Sequence, residues 1–197
     1  MASSPLQKRK PNRLKNYDYS QNGAYFVTVC AKDRAELFGK ISVGAASCRP
    51  QLSKTGKIIE SEISKLSQTY DGVSVDCHVV MPNHVHMIIV ICNENGRQNA
   101  APTVSQMINQ WKRAISKKAG FSPWQKSFHD HIIRNEADYD RIVEYIENNP
   151  ANWERDCFFV SNPKQPPIVG AAPCRPQSPA RRGGILPPAI PRDSCEE

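Results

Sequence analysis

His84 and His86 lie one residue apart in the segment Met81-Pro82-Asn83-His84-Val85-His86, which runs on into the apolar stretch Met87-Ile88-Ile89-Val90-Ile91. In an extended strand, residues i and i+2 face the same side. The two imidazoles would stand together there and could chelate a divalent cation. Zinc hydrolases and phosphate-transfer enzymes both use such pairs, and two hydrogen-bonded histidines without a metal would leave the same trace. A second group is Tyr145 and Asn149, in Tyr145-Ile146-Glu147-Asn148-Asn149-Pro150. On a helix these two are one turn apart and share a face. The apolar stripe of that helix is Tyr139, Ile142, Val143 and Ile146, and at about 100° per residue Tyr145 falls at its margin. Read alone, Tyr145 is an amphipathic boundary residue and Asn149 a C-terminal cap.

Together the four residues allow more. An amide oxygen from Asn149 would add one oxygen to two nitrogens, a set that suits Mg²⁺ or Mn²⁺ with positions open for water and phosphate. Tyr145 would then stand beside the bound phosphate. A phenol titrates at about 10 and is a poor nucleophile unaided. A metal that polarises the phosphodiester supplies the missing electrostatic help. Tyr139 is a rival nucleophile, but it lies on the apolar stripe and has no ligand-type residue four positions on. His78 reads as an incidental strand residue, and Asp130 and His131 as supporting groups.

The elements that must position these residues follow from periodicity. Residues 25–30, 37–43, 73–81 and 85–91 read as strands, and 124–133 as extended. Ile58, Ile59, Ile63 and Leu66 give 54–69 a helical period. Val104, Met107, Ile108, Trp111 and Ile115 do the same for the next helix. A last helix spans 136–149, capped by Asn135 or Asp138 and stopped by Pro150. The order β-β-α-β-β-α-β-α predicts an α+β fold, an antiparallel sheet with helices packed on it.

The chain has 197 residues, 39% hydrophobic and 23% charged, with a formal net charge of +7. That is enough for one core, and the basic balance favours a polyanionic partner. Lys112, Arg113, Lys117 and Lys118 on the third helix could contact phosphates, as could Arg97 in a loop. An ordinary solvated helix face explains the four helical residues as well. Trp111 reads as core. Seven cysteines, scattered and never in CxxC spacing, argue against a disulfide scaffold or a four-sulfur zinc site. Cys30 and Cys92, inside apolar runs, read as small reduced core residues. No signal peptide or membrane-spanning run is evident, which predicts a cytoplasmic protein without a membrane partner. Residues 1–15 form a basic arm and 16–160 the folded domain. Residues 161–197 hold more than half of the 16 prolines and read as a disordered or extended Pro/Gly/Arg-rich tail.

The segment 81–86 resembles the His-hydrophobic-His motif of the HUH endonucleases, and Tyr145-Ile146-x-x-Asn149-Pro150 resembles the nucleophile helix of single-tyrosine transposases. Trp124-Gln125 and His131-Ile132-Ile133-Arg134-Asn135-Glu136 are similar to the segment leading into that helix. Leu14-Lys15-Asn16-Tyr17-Asp18 and Gly23-Ala24-Tyr25-Phe26-Val27-Thr28 are similar to the opening strand region. The resemblance covers about residues 12–160, and its nearest branch is the REP-associated tyrosine transposases. Insertion-sequence relatives commonly carry glutamine where Asn149 stands; the REP-associated branch carries asparagine.

The resemblance implies a ferredoxin-like domain and a metal-dependent single-stranded DNA endonuclease and strand transferase. Tyr145 would form a 5′-phosphotyrosine intermediate, with Mg²⁺ or Mn²⁺ on His84, His86 and Asn149. Its partners would be DNA hairpins of repetitive extragenic palindromes, its state a monomer or homodimer, and its location the bacterial nucleoid. Two alternatives stand beside this: a DNA-hairpin-binding protein that does not cleave, and a zinc hydrolase that uses water. One further feature is a near-identical nine-residue segment at 43–51 and 169–177, differing at one position. It reads as two similar linkers, or as a short DNA repeat translated twice.

Overall fold

Gly23–Cys30 (β1) and His84–Ile91 (β5) are the strands apolar enough to be covered on both faces, and they become neighbours at the centre of the sheet. In the computed structural model, which describes residues 17–41, 50–92 and 102–159, Val73–Val80 (β4) and His129–Ile133 (β6) flank them. The order is β4-β5-β1-β6 and every pairing is antiparallel. The α+β architecture expected from the element order is present.

Strand alternation sends two sets of side chains to opposite faces. Tyr25, Val27 and Val29 of β1 and Val85, Met87, Ile89 and Ile91 of β5 face the larger core. Lys54–Ile63 (α1) and Val104–Ala119 (α3) cover that face with Ile59, Ile63, Met107, Ile108, Trp111 and Ile115. The other face carries Ala24, Phe26 and Ile88, and Glu136–Asn148 (α4) packs on it through Ile142 and Ile146. The helix ends follow their sequence signals. Thr103 and Gln106 form a capping box for α3, and Gly120 ends it at a left-handed φ of 80°. The Asn135 side chain accepts the Asp138 N–H at the start of α4, settling which residue caps it.

Four expectations change. The helix over 54–69 is interrupted, and Leu66–Thr69 forms a separate turn of helix (α2). The strand expected at 37–43 is not part of the main sheet: Gly39–Lys40 (β2) pairs instead with Gln51–Leu52 (β3) in a small ribbon. Within 124–133 only β6 joins the sheet, while Trp124 bridges to Ala31. Cys30 and Cys77 are free thiols, whereas Cys92 and Cys157 are each disulfide-bonded, which overturns the reading of Cys92 as reduced. The basic arm 1–15, Arg97 and the tail 161–197 lie outside the described residues. No helix among the described residues is long and apolar enough to cross a membrane.

The ribbon locks α1 in place. Ser53 caps α1 by accepting the Gly56 N–H at 3.1 Å, and its hydroxyl donates to the Leu37 carbonyl at 2.7 Å. Gly56 lies so close to the ribbon that a Cβ there would sit 2.0 Å from the Phe38 carbonyl oxygen. Gly56→Ala should therefore destabilise the fold by ~1–3 kcal/mol or more through overpacking, although alanine is the better helix former by about 1 kcal/mol. Urea unfolding checks the sign; a rise in the midpoint would mean that α1 is free to move away.

Candidate metal centre and nucleophile

His84 and His86 project from the α4-covered face of β5, with ring centroids 4.4 Å apart and both side chains buried. Burial is the main reason that both stay neutral. It pushes His84 well below the ordinary imidazole value, helped by neighbouring His86 and opposed by the Asn149 amide. It pushes His86 down to about 3.

Hydrogen bonds aim the rings. The Asn83 amide nitrogen donates to the carbonyls of Phe158 at 2.7 Å and Arg34 at 3.1 Å. Its oxygen therefore faces His84 Nδ1, at 2.9 Å. An amide oxygen only accepts, so His84 carries its proton on Nδ1 and presents a bare lone pair at Nε2. That Nε2 is buried and has no hydrogen-bond partner. On the opposite strand Thr28 pairs with His86, and its hydroxyl lies 2.8 Å from His86 Nδ1.

Asn149 ends α4 and is buried against this pair. Its amide nitrogen donates to Asp156 Oδ2 at 2.7 Å, which leaves Oδ1 as a second buried acceptor with no partner. Asp156 is itself held in place: its Oδ1 accepts the Phe158 N–H at 2.7 Å, and its Oδ2 lies 4.0 Å from His84 Nε2. Ligand atoms of His84, His86 and Asp156 all lie within 4.8 Å of one another. Two bare lone pairs buried beside a carboxylate form an environment that could hold a cation. Two imidazole nitrogens, an amide oxygen and a carboxylate fit a hard divalent ion such as Mg²⁺ or Mn²⁺.

Tyr145 reaches this centre within the same chain. Its hydroxyl is 3.3 Å from His86 Nε2, and its ring meets Phe26 edge-on at 6.1 Å. Burial, with Asp156 adding to it, holds the phenol above its ordinary value, so at neutral pH it is protonated. A cleft of about 430 Å³ opens beside it, lined by Arg141, Tyr145, Asn149, Arg155 and Asp156 among others. The four residues singled out from the sequence, His84, His86, Tyr145 and Asn149, thus converge.

The basic residues do not join them. α3 packs on the face of the sheet opposite to the histidines, so Lys112, Arg113, Lys117 and Lys118 stand away from the cleft. Lys112 is buried, and its ammonium donates to the Gln125 carbonyl at 2.6 Å, which assigns it a structural role. Lys118 is ion-paired with Glu62 at 2.6 Å, while Arg113 and Lys117 are exposed. Lys112→Met should cost ~1–3 kcal/mol by stranding that carbonyl and leave affinity for single-stranded oligonucleotides unchanged. Reduced oligonucleotide binding with intact stability would reverse the assignment.

His131 supports the helix rather than the metal, pairing with Asp138 at 2.7 Å. Tyr139 is tied to Asp76 at 3.2 Å, and His78 to Glu60 at 3.0 Å. Sequence patterns do not single out Asp156 or Thr28 as site residues, and they show Asn83 only as part of the motif. Asn83 has a legible signal in its place immediately before the histidine pair. Asp156 follows a 3-10 turn at Trp153–Arg155 and belongs to no period, so only the tertiary contact finds it.

No family model matches the sequence. An uncharacterized protein of Haemophilus influenzae is 31% identical over 175 residues, covering 79% of this chain and 95% of its own length. A REP-associated tyrosine transposase of Escherichia coli is 27% identical over 133 residues, covering 67% of this chain and 68% of its own. The solved structure of a REP-associated tyrosine transposase bound to a REP hairpin aligns over 72% of this chain and 74% of that one. Its TM-score is 0.54, at 23% identity, so the two share a fold. The chain is similar in sequence and in fold to REP-associated tyrosine transposases. These relatives support a transposase-like, DNA-processing role.

Asp156 holds the Asn149 amide by its nitrogen, which leaves Oδ1 free to face the imidazoles. Asp156→Ala is expected to weaken Mn²⁺ binding about 10–100-fold, as loss of an outer-shell partner typically does. Calorimetric titration measures it. Asp156→Asn keeps an acceptor for Asn149 without the charge, so partial recovery would apportion orientation against electrostatics. Unchanged affinity in both variants would remove Asp156 from the site.

Proposed function

We propose that the chain is a metal-dependent single-stranded DNA endonuclease and strand transferase that works near palindromic hairpins, with Tyr145 as nucleophile. The single observation that carries this is the Tyr145 hydroxyl, 3.3 Å from His86 Nε2 and beside the two buried acceptors without partners, His84 Nε2 and Asn149 Oδ1. His84, His86 and Asn149 would hold Mg²⁺ or Mn²⁺, with Asp156 contributing charge. That ion would polarise the scissile phosphodiester and stabilise the charge that develops on it.

The chain's own residues do the rest. Tyr145 Oη loses its proton and bonds to phosphorus as the P–O3′ bond breaks, and the departing 3′-oxygen takes up a proton, leaving a 5′-phosphotyrosine and a free 3′-hydroxyl. The new phosphodiester conserves the energy of the old one, so a 3′-hydroxyl can reverse the step without ATP. Thr28 and Asn83 hold the two rings, and Phe26 supports the phenol. Arg141 and Arg155, which line the cleft, are better placed for phosphate than the lysines of α3.

Incubation with a labelled single-stranded hairpin oligonucleotide and Mn²⁺ tests the proposal. A denaturation-resistant protein–DNA adduct is expected. A complex that falls apart on denaturation would instead favour a DNA-hairpin-binding protein without cleavage.

A further inference from the structure

Val43-Gly44-Ala45-Ala46-Ser47-Cys48-Arg49-Pro50-Gln51 recurs as Val169-Gly170-Ala171-Ala172-Pro173-Cys174-Arg175-Pro176-Gln177, with only Ser47 and Pro173 unlike. The first copy spans the connection between β2 and β3 and ends in β3, where Gln51 pairs with Lys40 and Leu52 with Gly39. Connections between paired strands tolerate inserted residues. Of this copy Pro50 and Gln51 are described, and neither belongs to the core.

The genetic code gives a reason for the recurrence. The middle base of a codon is fixed for each of these residue types: T for Val, G for Gly, Cys and Arg, C for Ala and Pro, A for Gln. In order, the middle bases of either copy read T-G-C-C, then the variable codon, then G-G-C-A. The second half is the reverse complement of the first. The remaining bases can follow suit. The codons of Gly and Ala begin with G, which pairs with a C that Pro, Arg and Cys codons all allow at their third position. The first bases of Cys, Pro, Gln and a CGN Arg codon pair with the free third bases of Ala, Gly and Val. Only the outermost pair, between the first base of Val and the third of Gln, cannot form.

The one residue that differs between the copies is the centre of symmetry, the loop of the hairpin, where a base change disturbs no pairing. A second segment of the tail has a similar property with other residues. Arg182-Gly183-Gly184-Ile185-Leu186-Pro187-Pro188-Ala189 gives middle bases G-G-G, T-T, C-C-C, whose outer bases pair about an unpaired centre.

We propose that the nine-residue repeat is the translation of a GC-rich inverted DNA repeat present twice in the coding sequence, and that the hairpin this repeat forms as a single strand is a DNA taken by the Tyr145 site. Its stem would have about eleven base pairs closed by the variable codon. Capture of the hairpin by the Tyr145 site rests on the reading under Proposed function; the origin of the repeat in the coding sequence does not. The gene would then carry two targets of its own product.

The test has two arms. The nucleotide sequence at codons 43–51 and 169–177 is expected to be self-complementary at its first and third bases, the outermost pair and the variable codon excepted. Codons that break the stem in both copies would overturn the proposal. The full chain is then titrated, with Mn²⁺, against three single strands: the hairpin, an oligonucleotide encoding the same peptide through synonymous codons that abolish the stem, and an unrelated GC-rich hairpin. Binding of the repeat hairpin about tenfold or more tighter than both controls is expected. Equal binding of all three, or preference for the unrelated hairpin, sinks this inference while the DNA-processing reading stands. Binding to none of them sinks both.

Discussion

Tyr145→Phe should leave a folded protein that still binds Mn²⁺ and single-stranded DNA but forms no covalent adduct, with cleavage reduced by about 10³-fold or more. The substitution removes one oxygen. The ring keeps its place against Phe26 and the α4 core, and the 3.3 Å contact of the hydroxyl with His86 is what the variant gives up. Loss of stability should be small. Tyr139 cannot substitute, because its hydroxyl is tied to Asp76 at 3.2 Å, whereas that of Tyr145 meets His86. The measurements are adduct formation on a hairpin oligonucleotide and a thermal unfolding curve. Cleavage that survives in the variant would point to attack by water and to a hydrolase built on the same histidines.

His84→Ala should abolish the effect of metal on both stability and activity. His84 Nε2 is a buried lone pair without a donor, so in the metal-free protein its removal relieves one unsatisfied group while opening a cavity. With metal the balance differs. A ligand that binds only the folded state adds about 2.7 kcal/mol at a hundredfold excess over its Kd. Wild-type protein should therefore melt higher as Mn²⁺ is added, lose that rise with a chelator, and regain it with fresh metal. The variant should show no rise, because its affinity falls by more than the roughly 10–100-fold that an outer-shell change costs. An undiminished rise would place the ion elsewhere.

How much of the fold and the site is legible in the chain differs by residue. Strand alternation puts His84 and His86 on one side, and the helical period puts Tyr145 and Asn149 on another shared face. Both are local rules, and both hold in the fold. The two central strands are readable because burial on both faces demands unbroken apolar runs. The ribbon of β2 and β3 escapes such a reading because two-residue strands carry no period. The basic helix misleads for a related reason. Lys112 lies on the solvent side of the charge pattern by type, yet its long apolar stem lets it bury and cap carbonyls.

The sequence alone determined which residue types could do chemistry, and the elements that carry them, because periodicity and capping act over a few residues. It also holds the self-complementary codon pattern, which no fold can alter. Only the tertiary structure decided that α4 covers the histidine face while α3 covers the other, and that Asp156 turns the Asn149 amide toward His84. Those choices depend on packing between residues distant in the chain, where no local spacing carries the information.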